Sequence, residues 1–294
     1  MRKNNDFATG VIFSVINSIS LGILGVVDKI GAGQFSSSIV FSTQSVFYSL
    51  IFVNIFALSV YRSSFIPTIK TISLPTMRNI IFVGILASGL YILFRFLGLT
   101  QSTGTFATLA QVIITAETAI LALIILHEKL SKTFWILFLT ILVSLYFVSV
   151  GSLKFTPLQN GDSMIIVGAT FVAFANIFSK FALKEVSPVI LSVGRFFFGF
   201  LFLLLTMLLF FHTNIFVFSF WSVLSGLFWT VNVLTFNSAI NKIGVTYATA
   251  ILMIAPVYTM ILEYVILKQI FTLLQIIAAL VVVICGILMV IFKK

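Results

Sequence analysis

The sequence predicts an all-α membrane protein in which ten transmembrane helices form two inverted five-helix repeats. Three observations predict it: an apolar composition, a succession of apolar runs long enough to cross a bilayer, and a similarity between the two halves of the chain. Of the 294 residues, 61% are hydrophobic and 8% are charged, whereas soluble domains carry about 25% charged residues. The composition therefore excludes an ordinary water-soluble protein.

The charged and metal-ligating residues exclude several functional classes. The net charge is +10, but the basic residues stand singly between apolar runs, which is typical of membrane-protein loops and not of a nucleic-acid interface. Cys285 is the single cysteine, and His127 and His212 lie far apart, so neither a disulfide framework nor a metal site is predicted. No Walker A motif is present, so ATP hydrolysis by this chain is not predicted. We expect no cofactor, no metal and no nucleic-acid partner.

Apolar runs of about 20 residues are long enough to cross the hydrocarbon core as helices. Asp28 and Lys29 are interpreted as the break after the first run. The ten runs are 8–27, 38–60, 79–99, 104–126, 133–152, 163–182, 188–211, 217–239, 245–267 and 271–292.

The distribution of Lys and Arg predicts the orientation, because cytoplasmic loops carry an excess of these residues. The side opposite the termini has only Lys29, Lys154 and Lys268. We therefore expect both termini in the cytoplasm and the chain in the cytoplasmic (inner) membrane. The basic residues on the side of the termini are Arg2, Lys3, Arg62, Lys70, Arg78, Lys129, Lys132, Lys180, Lys184, Lys242, Lys293 and Lys294.

The two halves of the chain resemble each other. A shift of 141 places residues 105–131 on 246–272, and a shift of 151 places Asp28 on Ser179. We predict repeats at 1–153 and 160–294. Each holds five spans, an odd number, so the second enters the membrane in the opposite direction, as is common in transporters.

The stretch 98-GLTQSTGTFATLA-110 and the corner formed by Glu128, Leu130 and Ser131 resemble the drug/metabolite transporter superfamily, in its EamA-like, ten-span form. The resemblance implies a secondary transporter with a central cavity walled by spans one, three, four, six, eight and nine. The second repeat keeps further residues of the pattern, namely Pro256, Thr272, Gln275 and Gly286.

Four charged residues lie within the predicted spans, where an ionisable group is costly unless it has a partner or a function. At a rise of 1.5 Å per residue, Glu117 and Arg195 lie deep in the membrane, and Arg95 and Glu263 lie near its outer surface. Their depths predict two couples, Glu117 with Arg195 and Arg95 with Glu263, the second a candidate gate. Snorkelling or a structural role is the alternative for each.

Glu117 is the leading candidate for holding the substrate or coupling its movement to protons. On span four it lies about 100–120° from a polar stripe that includes Gln111, so the acid and the stripe can face different neighbours. Proline at 256 predicts a kink in span nine. The remaining candidates for the cavity wall are Asn17, Tyr91, Asn176, Trp229, Asn232 and Tyr258.

These patterns favour a secondary transporter that moves small metabolites, amino-acid-like or nucleoside-like, by alternating access. Its expected partners are the substrate, protons as the coupling ion, and the lipid bilayer. A polytopic membrane enzyme acting on lipid-linked substrates is the alternative. It would need a cluster of acid–base residues near one interface, and the only dense loop cluster is 127–129.

Overall fold

The computed structural model describes residues 2–35, 37–102, 104–127, 130–150, 160–211 and 218–291, and these contain helices and connections but no strand. Glu128 of the predicted corner lies outside these ranges. The helices of the first half are α1 (Arg2–Gly33), α2 (Ser38–Tyr61), α3 (Phe65–Lys70), α4 (Leu74–Val83), α5 (Tyr91–Leu99), α6 (Gly104–Ile125) and α7 (Lys132–Val150). Those of the second half are α8 (Asn160–Ala182), α9 (Pro188–Thr206), α10 (Phe220–Ile243), α11 (Val245–Leu252), α12 (Ala255–Leu267) and α13 (Leu273–Ile291).

Helices of membrane-spanning length coincide with seven of the ten predicted runs. The other three runs contain shorter apolar helices within the described residues, at Ile113–Ile125, Lys132–Val148 and Leu273–Leu288. The fold is thus confirmed as a multi-pass helical bundle, and the number ten stays a prediction. The long helices are Asp6–Gly33, Ser38–Tyr61, Leu74–Leu99, Asn160–Ala182, Pro188–Phe211, Phe220–Ile243 and Val245–Leu267.

Three of the long helices in the described ranges differ from regular geometry, one of them because α9 continues into Met207–Phe211, which is wound as a π-helix. A π-helical segment, Gly84–Leu90, joins α4 to α5, and the Tyr91 N–H donates to the Leu86 carbonyl five residues earlier. In span nine, α11 ends at Leu252 and α12 begins at Ala255. This interruption lies directly before Pro256, whose ring removes a backbone donor, so the predicted kink is present.

The predicted break at Asp28 and Lys29 is wrong, because α1 continues to Gly33. Asp28 is fully buried in the bundle. The charge ended the hydropathy run, but a charge with a buried partner does not end a helix.

The contacts that each half of the chain makes with the other follow the same pattern in both directions. Helix α1 packs on α10 and α12, and in the same way α8 packs on α5 and α6. Helices α2 and α9 pack on each other, as do α7 and α13. These are the contacts expected of two structural repeats related by a twofold operation.

Polarity is distributed as in a bundle surrounded by lipid. Large apolar side chains point outward, among them Ile136, which is 65% exposed. Serine, threonine and asparagine side chains are buried between the helices, including Ser18, Thr43 and Asn176. Polar groups therefore face helix neighbours, where they hydrogen-bond across the bundle.

Glycines let α1 and α12 approach closely. A Cβ on Gly22 would lie 2.4 Å from the Cβ of Tyr258, and one on Gly25 would lie 2.6 Å from a methyl carbon of Thr259. The Thr259 hydroxyl donates to the Gly22 carbonyl at 3.1 Å. This contact joins the first helix of one half to the fourth span of the other.

Candidate functional site

A cavity of about 30 Å³ lies at the centre of the bundle, between α1, α5, α6, α8, α9, α10 and α11. A cavity of that size has room for one or two water molecules. Its lining is polar and aromatic as well as aliphatic, which is unusual for a packed core. The lining residues are Leu21, Tyr91, Gln111, Ile114, Val172, Asn176, Arg195, Trp229, Asn232, Phe236 and Leu252.

Both halves of the chain contribute polar groups to this cavity. The structure brings together six candidates named from the sequence: Tyr91, Gln111, Asn176, Arg195, Trp229 and Asn232.

The two asparagines that line the cavity, Asn176 and Asn232, are held by hydrogen bonds to neighbouring helices. The Asn176 amide donates to the Thr118 hydroxyl at 3.1 Å. Asn17 and Asn232 each donate to the other's backbone carbonyl, which ties α1 to α10. Asn17 is fully buried but is not among the lining residues, so it positions the wall instead of forming it.

Among the residues that the structure describes, Arg195 is the single charged side chain in the lining, and it is 4% exposed. Its Nε donates to the Ser88 hydroxyl of the π-helical segment at 3.0 Å. Among the described residues no carboxylate lies within 4.0 Å of its guanidinium. The predicted couple with Glu117 is therefore wrong.

Glu117 lies on the contact between α6 and α8. Its Oε1 accepts from the Thr170 hydroxyl at 3.1 Å, while its Oε2 is buried without a partner. It does not line the cavity, whereas Gln111 on the same helix does. The angle of about 100–120° between them on α6 is the reason.

Arg95 pairs with Asp28 and not with Glu263, so the second predicted couple is also wrong. Its Nε lies 3.4 Å from Oδ2 of Asp28, and neither side chain is exposed. Its Nη1 donates to the Ala107 carbonyl at 2.9 Å, and its guanidinium lies 5.7 Å from the centre of the Trp229 ring. Depth along the membrane normal carried no information on which helix faces Arg95.

Asp28 is the residue that sequence reasoning missed. Its Oδ1 accepts from the Ser225 hydroxyl at 2.6 Å, so it links α1, α5 and α10. The internal repeat held the signal. The shift of 151 aligns Asp28 with Ser179, which falls inside the run 163–182 and not at its end.

Tyr258 and Glu263, both on α12, lie away from the cavity lining. Tyr258 packs against Gly22 of α1. Glu263 is buried, and it lies close enough to Lys29 to interact with it electrostatically. Lys29 itself donates to the Leu99 carbonyl at 2.8 Å.

A second polar network joins the two halves at the opposite end of the bundle. Oε1 of Glu185, between α8 and α9, accepts from the Ser73 backbone N–H at 2.7 Å. Its Oε2 accepts from the hydroxyls of Ser73, at 2.5 Å, and Thr76. The Ser73 and Thr76 hydrogen bonds lower the pKa of this carboxyl below its ordinary value of 4.5. The carboxylate stands at the N-terminus of α4, where a helix favours negative charge.

A bundle with an apolar exterior, two packed repeats and a central polar cavity defines a multi-pass membrane protein with its candidate site inside the bundle. The sequence profile of the EamA-like transporter family matches residues 8–150 and 159–292. The chain belongs to the EamA-like transporter family, a family of membrane transporters within the drug/metabolite transporter superfamily.

The fold is also found in solved structures, of which 28 chains match. One crystal structure is similar over 95% of this chain and 95% of its own, with a TM-score of 0.74 and 14% sequence identity. That identity shows a shared fold alone. No curated protein matches the chain.

Proposed function

We propose that this protein is a secondary transporter that moves small metabolites, amino-acid-like or nucleoside-like, across the cytoplasmic membrane by alternating access. The observation that carries the proposal is the central cavity, whose polar lining comes from both repeats. In transporters built from inverted repeats, the substrate site lies near the bilayer midplane at the interface of the repeats.

The two polar networks support the same mechanism. Asp28 and Glu185 belong to networks at opposite ends of the bundle, and each joins helices of both halves. Leu21, which lines the cavity, lies seven residues before Asp28 on α1. Arg195, which also lines it, lies seven residues after the start of α9. Each separation is about 10 Å along the helix. The networks are therefore the contacts that would open alternately on the two sides.

The orientation is part of the proposal. The excess of basic residues near the termini favours a cytoplasmic location for both ends of the chain. The end that carries Glu185 is then cytoplasmic, and the end that carries Asp28 is external. Protons are the proposed coupling ion.

Two buried serines at opposite ends of the bundle test alternating access. Ser192 lies near the start of α9 and Ser222 near the start of α10, and both are fully buried. In a Cys285→Ala background, Ser192→Cys and Ser222→Cys each carry one thiol of nearly unchanged size. We expect a membrane-impermeant maleimide to modify Ser192→Cys from the cytoplasmic side alone and Ser222→Cys from the external side alone.

Ser64→Cys is the matched control, because Ser64 is exposed in the connection after α2. It should react fully from the cytoplasmic side and so report the orientation. Labelling of both buried positions from one side, or of neither from either side, would contradict alternating access. Uptake and efflux of a metabolite panel in the same vesicles then tests for the substrate.

A further inference from the structure

We infer that the central cavity binds a monocarboxylate, with Arg195 holding the carboxylate group. The inference rests on the proposed function and narrows its substrate class. It begins from a cationic side chain in the cavity wall that has no anionic partner among the described residues. Because a buried charge is costly when it is unpaired, the geometry points to an anion that arrives from outside the chain.

The charge of the cavity wall favours a ligand that carries a single negative charge. Arg95 lies behind Tyr91 and Trp229, but Asp28 neutralises it at 3.4 Å. Glu117 is on the contact between α6 and α8, outside the lining. Within the described part of the chain, Arg195 therefore leaves one positive charge facing the cavity, which matches one carboxylate better than a doubly charged phosphate.

Ser88 fixes the direction of the guanidinium. The Ser88 hydroxyl accepts from Nε at 3.0 Å, which leaves the two Nη groups available to donate hydrogen bonds to a ligand in the cavity. Paired N–H donors in one plane match the two oxygens of a carboxylate. Ser88 lies on the π-helical segment, so the irregular turn places the group that aims the arginine.

The rest of the lining suits an apolar or aromatic body. Tyr91 and Trp229 meet edge to face, with ring centres 6.2 Å apart, and Phe236 lies on the same wall. Gln111 and Asn176 offer amides for a further polar group on the ligand. A volume of about 30 Å³ holds the carboxylate alone. The body therefore enters only when the helices separate, as alternating access requires.

Thermal unfolding of the purified protein in detergent tests the inference with 3-phenylpropionate and its uncharged analogue 3-phenylpropionamide. A ligand that binds only the folded state raises Tm in a concentration-dependent way. We expect the acid to raise Tm and the amide to leave it unchanged, at equal ionic strength. Smaller and larger monocarboxylates, each with its own amide, extend the series.

Variants separate the arginine from a general effect of anions. Arg195→Gln should weaken binding of the acid about ten- to a hundredfold, the value of a charged hydrogen-bonded pair. Arg195→Lys should keep part of the response, because it keeps the charge. Arg78→Gln is the matched control, since Arg78 is exposed on α4, and it should respond as the wild type does.

Three results would overturn the inference: equal shifts from acid and amide, an unchanged response in Arg195→Gln, or no shift from any acid of the series. If Arg195→Gln does not fold, the comparison of acid with amide in the wild type decides by itself. The cysteine labelling described above needs no ligand. A protein that labels alternately but binds no carboxylate would therefore refute this inference and leave the transporter proposal standing.

Discussion

Asp28 and Arg95 form an ion pair at 3.4 Å in which neither side chain is exposed. The pair joins α1 to α5, and Ser225 extends it to α10 with a 2.6 Å hydrogen bond. Breaking a buried pair leaves one charge without compensation, which costs far more than the pair contributes when it is intact.

Asp28→Asn should lower the free energy of unfolding by about 3–5 kcal/mol, because it leaves Arg95 buried without a counter-charge. Thermal unfolding in detergent measures the change. Asp6→Asn is the matched control, since Asp6 pairs with Lys242 while its side chain is 55% exposed, and such a pair contributes about 1 kcal/mol or less. Equal effects of the two substitutions would show that burial of the Asp28 pair has no energetic consequence.

Glu185 should make stability depend on pH in the acid range. Hydrogen bonds from Ser73 and Thr76 hold its pKa below 4.5 in the folded state. The folded state therefore favours the carboxylate, so its contribution is fully present above the ordinary pKa of 4.5, which the carboxyl has in the unfolded chain. It is lost as the pH falls through the lower, folded value.

Glu185→Gln removes this contribution, so its deficit in Tm relative to the wild type should be constant above about pH 5 and shrink between about pH 5 and about pH 3. Ser73→Ala removes one donor hydroxyl and should give part of the same effect. A deficit that stays constant over this range would mean that the Glu185 carboxylate does not titrate differently in the folded and unfolded chains.

Gly22→Ala should destabilise the packing of α1 on α12. The added Cβ would lie 2.4 Å from the Tyr258 Cβ, next to the backbone, where no flexible side-chain end can move aside. Overpacking of this kind costs about 1–3 kcal/mol. Gly33→Ala on the same helix meets nothing within 4 Å and should be neutral or slightly stabilising. A Tm for Gly22→Ala equal to that of Gly33→Ala would show that the two helices are not held this closely.

Glu117→Gln should leave monocarboxylate binding unchanged, because Glu117 lies outside the cavity lining. The Gln carbonyl can still accept from Thr170, so we expect a change in stability of about 1 kcal/mol or less. Thermal shifts with 3-phenylpropionate measure both. If the variant binds normally but transport loses its dependence on pH, Glu117 couples protons from the α6–α8 contact. If ligand binding is abolished, its exclusion from the site is wrong.

The sequence was sufficient to predict features that depend on the residues of a single segment. Apolar runs predicted where the helices lie, and Pro256 predicted the interruption between α11 and α12. The polar side of α6 was also predictable, because helical angles separate Gln111 from Glu117. These are properties of one segment, which its own residues determine.

Pairings between segments were not predictable in the same way. Arg95 and Glu263 have similar predicted depths, yet Arg95 meets Asp28 because α1 and not α12 supplies the acid. Asp28 itself was assigned to a loop because a charge ends a hydropathy run. Choosing between partners at one depth requires the order of helices around the bundle, which depth along each span does not contain.

The π-helical turn between α4 and α5 determines the direction in which the Tyr91 and Arg95 side chains point. It accommodates residues beyond the α-helical count between Gly84 and Leu90. A π-helical turn takes up one residue more than an α-helical turn, so Tyr91 and Arg95 keep their direction despite the extra residue. A regular α-helix of the same length would rotate both side chains by about 100° relative to α4, away from Trp229. Related proteins that are one residue shorter in this turn should therefore have a regular helix there and keep the ion pair with α1, where the aspartate and the arginine are both retained.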